Sequence, residues 1–98
     1  MKQYNLIDNV KEALAENNNK ISPEYINSLV SAADVEYFHL TPTLRVCVIT
    51  LQSGHEVLGK AQVLDPANDV ADIGNSVAYT NAVNEIWYQI GAIAKAVL

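Results

Sequence analysis

Basic residues and sulfur are scarce in this sequence of 98 residues. It has 6 Lys+Arg against 11 Asp+Glu, a formal net charge of -5, and Arg45 is its single arginine. Polymeric nucleic acid and anionic membranes both require a basic surface, so this charge balance disfavours both partners. Cys47 is the one cysteine. It can form no internal disulfide, and within an apolar segment we expect it to be buried as a small hydrophobe.

Motifs for catalysis and for metal binding are also missing. The chain has no Gly-x-Ser-x-Gly elbow, and its four glycines are scattered rather than gathered in a phosphate-binding loop. Two histidines and one cysteine do not provide the ligand spacing of a metal site. We therefore predict a protein that is not an enzyme, with no catalytic residue, no bound metal and no cofactor.

Long apolar runs are absent as well. Charged residues interrupt the first segment, which excludes a signal-peptide pattern, and the apolar run at residues 86–98 is shorter than the roughly 18 residues of a membrane span. The expected location is the cytosol. The length suits one domain, residues 1–98. A domain this small buries a modest share of its surface, and oligomerisation is a common way to bury more.

Two short helices are predicted in the first third of the chain. The first helix covers Lys2 to Glu16 and ends at the asparagines 17–19, which favour turns. Ser22 is the predicted N-cap of the second helix, which ends near Ala33, with Pro23 in its first position. The predicted faces comprise Tyr4, Ile7, Val10, Lys11 and Leu14 in the first helix, and Ile26, Leu29 and Val30 in the second.

The middle of the chain alternates as β-strands do. We predict strands at Asp34–Thr41, Leu44–Leu51 and His55–Leu64, with a hairpin turn at residues 53–54. One face of the first strand carries Val35, Tyr37 and His39, one face of the second carries Arg45 and Cys47, and the exposed face of the third carries Glu56, Lys60 and Gln62. The prediction is an α+β fold with a three-stranded antiparallel meander.

One long helix is predicted for the last third, with Asp65 as its N-cap and Pro66 in its first position. Running to Leu98, it would span about 50 Å at roughly 1.5 Å per residue. A domain of this size is about 25–30 Å across. Either Gly74 or Gly91 breaks the helix, or its end packs on another subunit. We favour another subunit, because residues 87–97 would otherwise expose a large apolar patch.

Several short motifs between Arg45 and Trp87 resemble a family of small tailed-phage proteins. They are residues 46–51 (VCVITL), 53–59 (SGHEVLG), 65–68 (DPAN) and 73–74 (IG), followed by the helical pairs at residues 78–79, 82–83 and 86–87. They cover roughly half of the chain. The Thoeris anti-defence sponge proteins are similar to these sequences and look like relatives within that family.

The resemblance implies a function, a location and an assembly. It implies a protein of the host bacterial cytoplasm that binds and sequesters cyclic-nucleotide immune signals without cleaving them. The implied ligands are cyclic ADP-ribose isomers and, in some members, cyclic oligonucleotides. The implied assembly is a homo-oligomer, either a dimer or a trimer of dimers. The chain departs from the family in carrying His55 where an aromatic residue often follows the turn glycine, and in lacking arginines in its last helix.

Cyclic-nucleotide chemistry identifies candidate ligand-binding residues. Arg45 could hold a phosphate bidentately, and Lys60 is a weaker cation for the same role; the alternative for both is a solvated or ion-paired side chain. Asp65 and Asn68 lie where a helix N-terminus would offer free N–H groups, although capping alone also explains Asp65. His55 could stack on a base. For Tyr37 and Trp87, packing in the core or an interface is the better interpretation.

Two other functions remain open from the sequence. The chain could be a phage early protein that binds and inhibits a host protein, which an acidic surface and an apolar helix end would serve equally well. It could also be a small enzyme that degrades the signal. Ligand recovered intact after heating the protein would indicate a sponge, and altered ligand would indicate an enzyme.

Overall fold

A computed structural model of the chain describes residues 5–98 and contains three α-helices and a three-stranded sheet. The elements in chain order are α1 (Leu6–Ala15), α2 (Pro23–Ser31), β1 (Asp34–Thr41), β2 (Leu44–Thr50), β3 (Glu56–Gln62), a 3₁₀ turn (Pro66–Asn68) and α3 (Ala71–Val97). The strands follow one another in the order β1-β2-β3, and both pairs are antiparallel. The predicted α+β class and meander are confirmed.

The two short helices begin at side-chain caps. The Asp8 N–H donates to Asn5 Oδ1 at 3.2 Å, and the Tyr25 N–H donates to Ser22 Oγ at 3.1 Å, which confirms Ser22 as an N-cap. After α1, Asn18 and Asn19 take positive φ angles of 53° and 60°. Asparagine tolerates this conformation better than most residues, so the triplet ends the helix as predicted.

The predicted helix faces are confirmed in part. Val10 and Leu14 of α1 are buried, as are Ile26 and Leu29 of α2, while Val30 packs partly buried against the core. Ile7 and Lys11 are exposed, which corrects their assignment to the buried face of α1. Lys2 and Tyr4 of that prediction lie outside the described residues.

The register of the sheet defines its two faces. The inner face carries Val35, Tyr37 and His39 of β1, which pair with Ile49, Cys47 and Arg45 of β2, and these pair in turn with Val57, Gly59 and Ala61 of β3. Helix α3 packs on the β2 and β3 part of this face, whereas Tyr37 on β1 is exposed. Glu56, Lys60 and Gln62 are exposed as predicted. The hairpin turn contains Gly54 at φ 89°, and its N–H donates to Leu51 O at 2.8 Å.

Helix α3 lies against the sheet at unusually close range. A Cβ added to Gly59 would come within 2.1 Å of Ala82 N and 2.2 Å of Ala78 O, so the missing side chain lets the helix backbone touch β3. Ala78 and Ala82 are fully buried at this contact. Two alanines and one glycine therefore set the distance between the helix and the sheet.

The start of the last helix differs from the prediction. Pro66–Asn68 form a separate 3₁₀ turn capped by Asp65, whose Oδ1 accepts from the Ala67 N–H at 2.9 Å. Asp69 and Val70 are extended, and α3 begins only at Ala71. Neither Gly74 nor Gly91 breaks it, and its 27 residues span about 40 Å. The longest dimension of the molecule is 49 Å.

Helix α1 covers much of the second half of α3. Val10 and Leu14 share the buried core with Ile86 and Ile90, and Ile93 and Val97 pack partly buried against that core. Of the apolar patch predicted at residues 87–97, mainly Trp87 and Tyr88 are exposed, at 38% and 73%. The length of the helix alone no longer requires a second subunit.

Candidate functional site

Arg45 lies at the centre of an ion-paired cluster on the inner face of the sheet. Its Nε donates to Asp69 Oδ1 at 2.8 Å and its terminal guanidinium nitrogen donates to Asp69 Oδ2 at 2.7 Å. Both side chains are only 13% exposed. His39 Nε2 lies 3.6 Å from the same Asp69 Oδ2. This bidentate geometry is the strongest form of an arginine–carboxylate contact.

The pair shifts the titration of both partners. Hydrogen bonding from Arg45 lowers the pKa of the Asp69 carboxyl, and the nearby charges of Arg45 and His39 act in the same direction against desolvation. Hydrogen bonding to Asp69 raises the pKa of Arg45. Both groups therefore carry their charges at neutral pH, and the guanidinium is already neutralised by an internal partner.

Local backbone conformation brings the pair together. Asp69 projects from the extended stretch between the 3₁₀ turn and α3, a break that the predicted continuous helix did not contain. Gly74 provides the space for Arg45, because a Cβ at Gly74 would lie 2.6 Å from Arg45 Cδ. His39 is the register partner of Arg45 on the neighbouring strand.

A cleft of about 140 Å³ opens beside Arg45 and Asp69. Its walls come from the end of β3, from the 3₁₀ turn at Asn68 and from the start of α3 at Ile73 and Gly74. Val70, the N-cap of α3, provides no side-chain hydrogen bond to the first turn of the helix. The start of α3 and Arg45 line the same cleft, and the free N–H groups and positive dipole end of a helix start attract anions.

The structure brings together some of the predicted ligand residues. Arg45 and Asn68 line the same cleft, and Asp65 caps the 3₁₀ turn that contains Asn68. The Asn68 side chain makes no hydrogen bond to protein within residues 5–98. The predicted start of the long helix at Asp65–Asn68 is wrong. The residues form a three-residue turn, and the free N–H groups belong to α3, which starts later.

His55 and Lys60 lie apart from this cleft. His55 is six residues before Ala61, the register partner of Arg45, which places it about 20 Å away along the strand. Its ring nitrogen contacts Gln89 Oε1 of α3. Lys60 is exposed on the outer face of the sheet. Within one chain, the five candidate ligand-binding residues therefore do not form one site. They are Arg45, His55, Lys60, Asp65 and Asn68.

One structural interpretation from the sequence is confirmed. Cys47 is fully buried, and burial raises the pKa of its thiol. Tyr37 pairs with Cys47 across the strands but is 45% exposed, so its packing role is not confirmed. Partial desolvation, and after it the neighbouring Cys47 and Tyr79, raises the pKa of its phenol. A protonated, enclosed thiol is unreactive, which fits a packing role for Cys47.

The sequence does not identify Asp69 as a partner of Arg45. Asp69 is one of several acids near the predicted helix start, and nothing local marks the break at Asp69 and Val70. Within residues 5–98, no group of three or more histidine, cysteine, aspartate or glutamate side chains could hold a metal ion. In the same part of the chain, no helix combines the length and apolar character needed to cross a membrane.

Comparison with known proteins adds one match. Residues 21–98 match the family described as phage protein (N4 Gp49/phage Sf6 gene 66). The matched region contains α2, the sheet, the Arg45 cluster and α3, whereas α1 lies outside it. No curated protein and no solved structure matches the chain.

Proposed function

The chain belongs to the phage protein family described as N4 Gp49/phage Sf6 gene 66, and we propose that it sequesters a cyclic-nucleotide immune signal without cleaving it. The proposed ligands are cyclic ADP-ribose isomers or cyclic oligonucleotides, and the proposed place of action is the host bacterial cytoplasm. The observation that carries the proposal is the cleft that combines Arg45, Asn68 and the uncapped start of α3.

At about 140 Å³ the cleft has room for one phosphate group of such a ligand, and it supplies the contacts that a phosphate needs. A guanidinium binds phosphate oxygens in pairs, and the N–H groups at the start of α3 can donate to the same oxygens. Asn68 has both a donor and an acceptor free for a hydroxyl or a base edge. Because Asp69 already holds Arg45 at 2.7 and 2.8 Å, an incoming phosphate has to share or replace that carboxylate.

This competition with Asp69 provides the decisive test. We expect isothermal titration to detect a cyclic ADP-ribose isomer or a cyclic dinucleotide that binds well below millimolar. Arg45→Gln should weaken that ligand by about 10- to 100-fold, since it removes a charged hydrogen-bond partner. Asp69→Asn should tighten binding, because the neutral amide releases the guanidinium and removes a repelling charge.

Lys11→Gln is the matched control for Arg45→Gln. It also removes one positive charge, but from the exposed surface of α1, and should leave the affinity unchanged. The proposal fails if no cyclic ADP-ribose isomer or cyclic dinucleotide binds below about millimolar. It also fails if substitution of Arg45 and of Asp69 leaves the affinity unchanged. Chromatography of ligand recovered by heating should return it intact; an altered ligand would indicate an enzyme instead.

A second function is favoured by the outer face of the sheet. Phe38 and Leu58 lie there, 42% and 52% exposed. Apolar side chains exposed together are typical of protein–protein contact surfaces. They would serve a homo-oligomer, a dimer or a trimer of dimers, and equally a phage early protein that binds and inhibits a host protein. Light scattering on the pure protein tests the first, and capture from host lysate with loss by Phe38→Ser tests the second.

A further inference from the structure

A second groove, with no charged residue in its lining, lies between α2, β1 and α3. It has a volume of about 440 Å³ and is lined by Asn27, Val30, Ser31, Val35, Tyr79, Thr80, Val83 and Asn84. It shares no residue with the cleft beside Arg45. We propose that this uncharged groove binds an uncharged planar heterocycle of the nucleobase class.

The lining has an apolar floor and a polar rim. Val30, Val35, Tyr79 and Val83 are partly buried and pack against the core. Asn27, Ser31, Thr80 and Asn84 are exposed. Within the described part of the chain, these four polar side chains make no hydrogen bonds to protein groups. An apolar floor beside free donors and acceptors is the usual composition of a small-molecule site.

The charge of the lining restricts the ligand. None of the eight side chains is a carboxylate, an ammonium, a guanidinium or an imidazole. A charged ligand would lose part of its hydration there and gain no counter-charge, which is unfavourable. Two other grooves of similar volume have charged residues in their linings. One is lined in part by Glu12 and Glu16, and the other by Lys60 and Glu85.

The chemistry of the rim favours a heterocycle over a plain apolar ring. Each asparagine amide offers a donor and an acceptor side by side, which matches the paired donor and acceptor on the edge of a base. Tyr79 offers an aromatic surface on which a base can stack. A volume of about 440 Å³ falls within the range of pockets that hold molecules of this size.

The test is a titration of the isotope-labelled full chain with adenosine, followed by NMR. We expect saturable shifts in the side-chain amides of Asn27 and Asn84 and in the backbone amide of Tyr79. Toluene, a ring without hydrogen-bonding groups, should bind more weakly. Absence of saturable shifts at millimolar adenosine, or toluene binding as well as adenosine, overturns the proposal.

Variants locate the binding. Asn27→Asp changes one amide to a carboxylate at constant size and should weaken adenosine by about tenfold, through a lost donor. Asn18→Asp adds the same charge in the α1–α2 loop, outside the groove, and should have no effect. Tyr79→Leu, if it stays folded by circular dichroism, should weaken binding by about tenfold through lost stacking. If Arg45→Gln instead abolishes the shifts, adenosine binds in the Arg45 cleft and this proposal is overturned.

Discussion

The Arg45–Asp69 pair holds the only arginine of the chain with a carboxylate that is just 13% exposed. Arginine and aspartate side chains are rarely this buried in proteins unless they are paired. The sequence identified Arg45 as a phosphate ligand or an ion-paired side chain, and the structure shows an ion pair inside one chain. The pair can stabilise the fold and still be the place where an anionic ligand enters, because a phosphate competes for the same guanidinium.

The pair should make stability depend on pH in the acid range. Arg45 lowers the folded-state pKa of Asp69 below its ordinary value of 3.8, so the unfolded chain takes up a proton first as the pH falls. The stabilisation by this pair is complete above the unfolded pKa and is lost as the pH falls through the lowered folded pKa. Urea unfolding of the parent and of Asp69→Asn should therefore differ at neutral pH, and the difference should shrink as the pH falls through the lowered pKa of Asp69.

The control for this measurement is Asp34→Asn. Asp34 is exposed and forms no ion pair within residues 5–98. Its variant should follow the parent curve closely over the same pH range. A difference between parent and Asp69→Asn that stays constant down to pH 2 would mean that the ionised pair does not contribute to stability.

The contact between β3 and α3 depends on glycine at one position. In Gly59→Ala the new methyl would meet the backbone of Ala78 and Ala82, and backbone cannot turn aside as a flexible side chain can. We expect a loss of about 2–3 kcal/mol or more in the free energy of unfolding, as for other overpacked cores. Chemical denaturation of both proteins measures the difference.

Gly91 is the matched control for the same substitution. It lies inside α3, and a Cβ added there meets nothing within 4 Å. Gly91→Ala should stabilise the protein by about 0.5–1 kcal/mol, since alanine is the better helix former. Equal effects of the two substitutions would contradict the close approach of helix and sheet at Gly59.

One hydrophobic core joins the three helices and the sheet, including α1, which lies outside the region that matches the phage family. Val10 and Leu14 of α1 join the same buried set as Ile49 of the sheet and Ile86 of α3. A shared core predicts that the chain unfolds as one unit, because separating any element exposes the apolar surface of the others.

Leu14→Ala tests this shared core. Leu14 is 3% exposed, and its truncation should cost about 2–5 kcal/mol. Circular dichroism and Trp87 fluorescence should still report one coincident transition, shifted to lower denaturant. Ile7→Ala, on the same helix but 48% exposed, should change stability by about 0.5 kcal/mol or less. Two separate transitions would show that α1 unfolds independently.

Local chemistry was sufficient to predict most of the secondary structure. The cap at Ser22, the asparagine turn and the glycine hairpin depend on hydrogen bonds between near neighbours, so the sequence alone determines them. Alternation in β1 and β2 likewise predicted which residues share a face. The strand ends were less well predicted, since β3 begins at Glu56 and ends at Gln62 rather than covering His55–Leu64.

Tertiary contacts determined the features that local sequence patterns could not predict. Asp65 and Pro66 favour a helix start, but the Asp69 side chain reaches Arg45 from an extended backbone, and the break at Asp69–Val70 accompanies that long-range pair. The burial of Ile90 and Ile93 depends on α1, from the other end of the chain. Composition, caps and alternation determined the elements of this protein. Contacts between residues far apart in sequence decided where Arg45 finds its partner, and why His55 and Lys60 lie elsewhere.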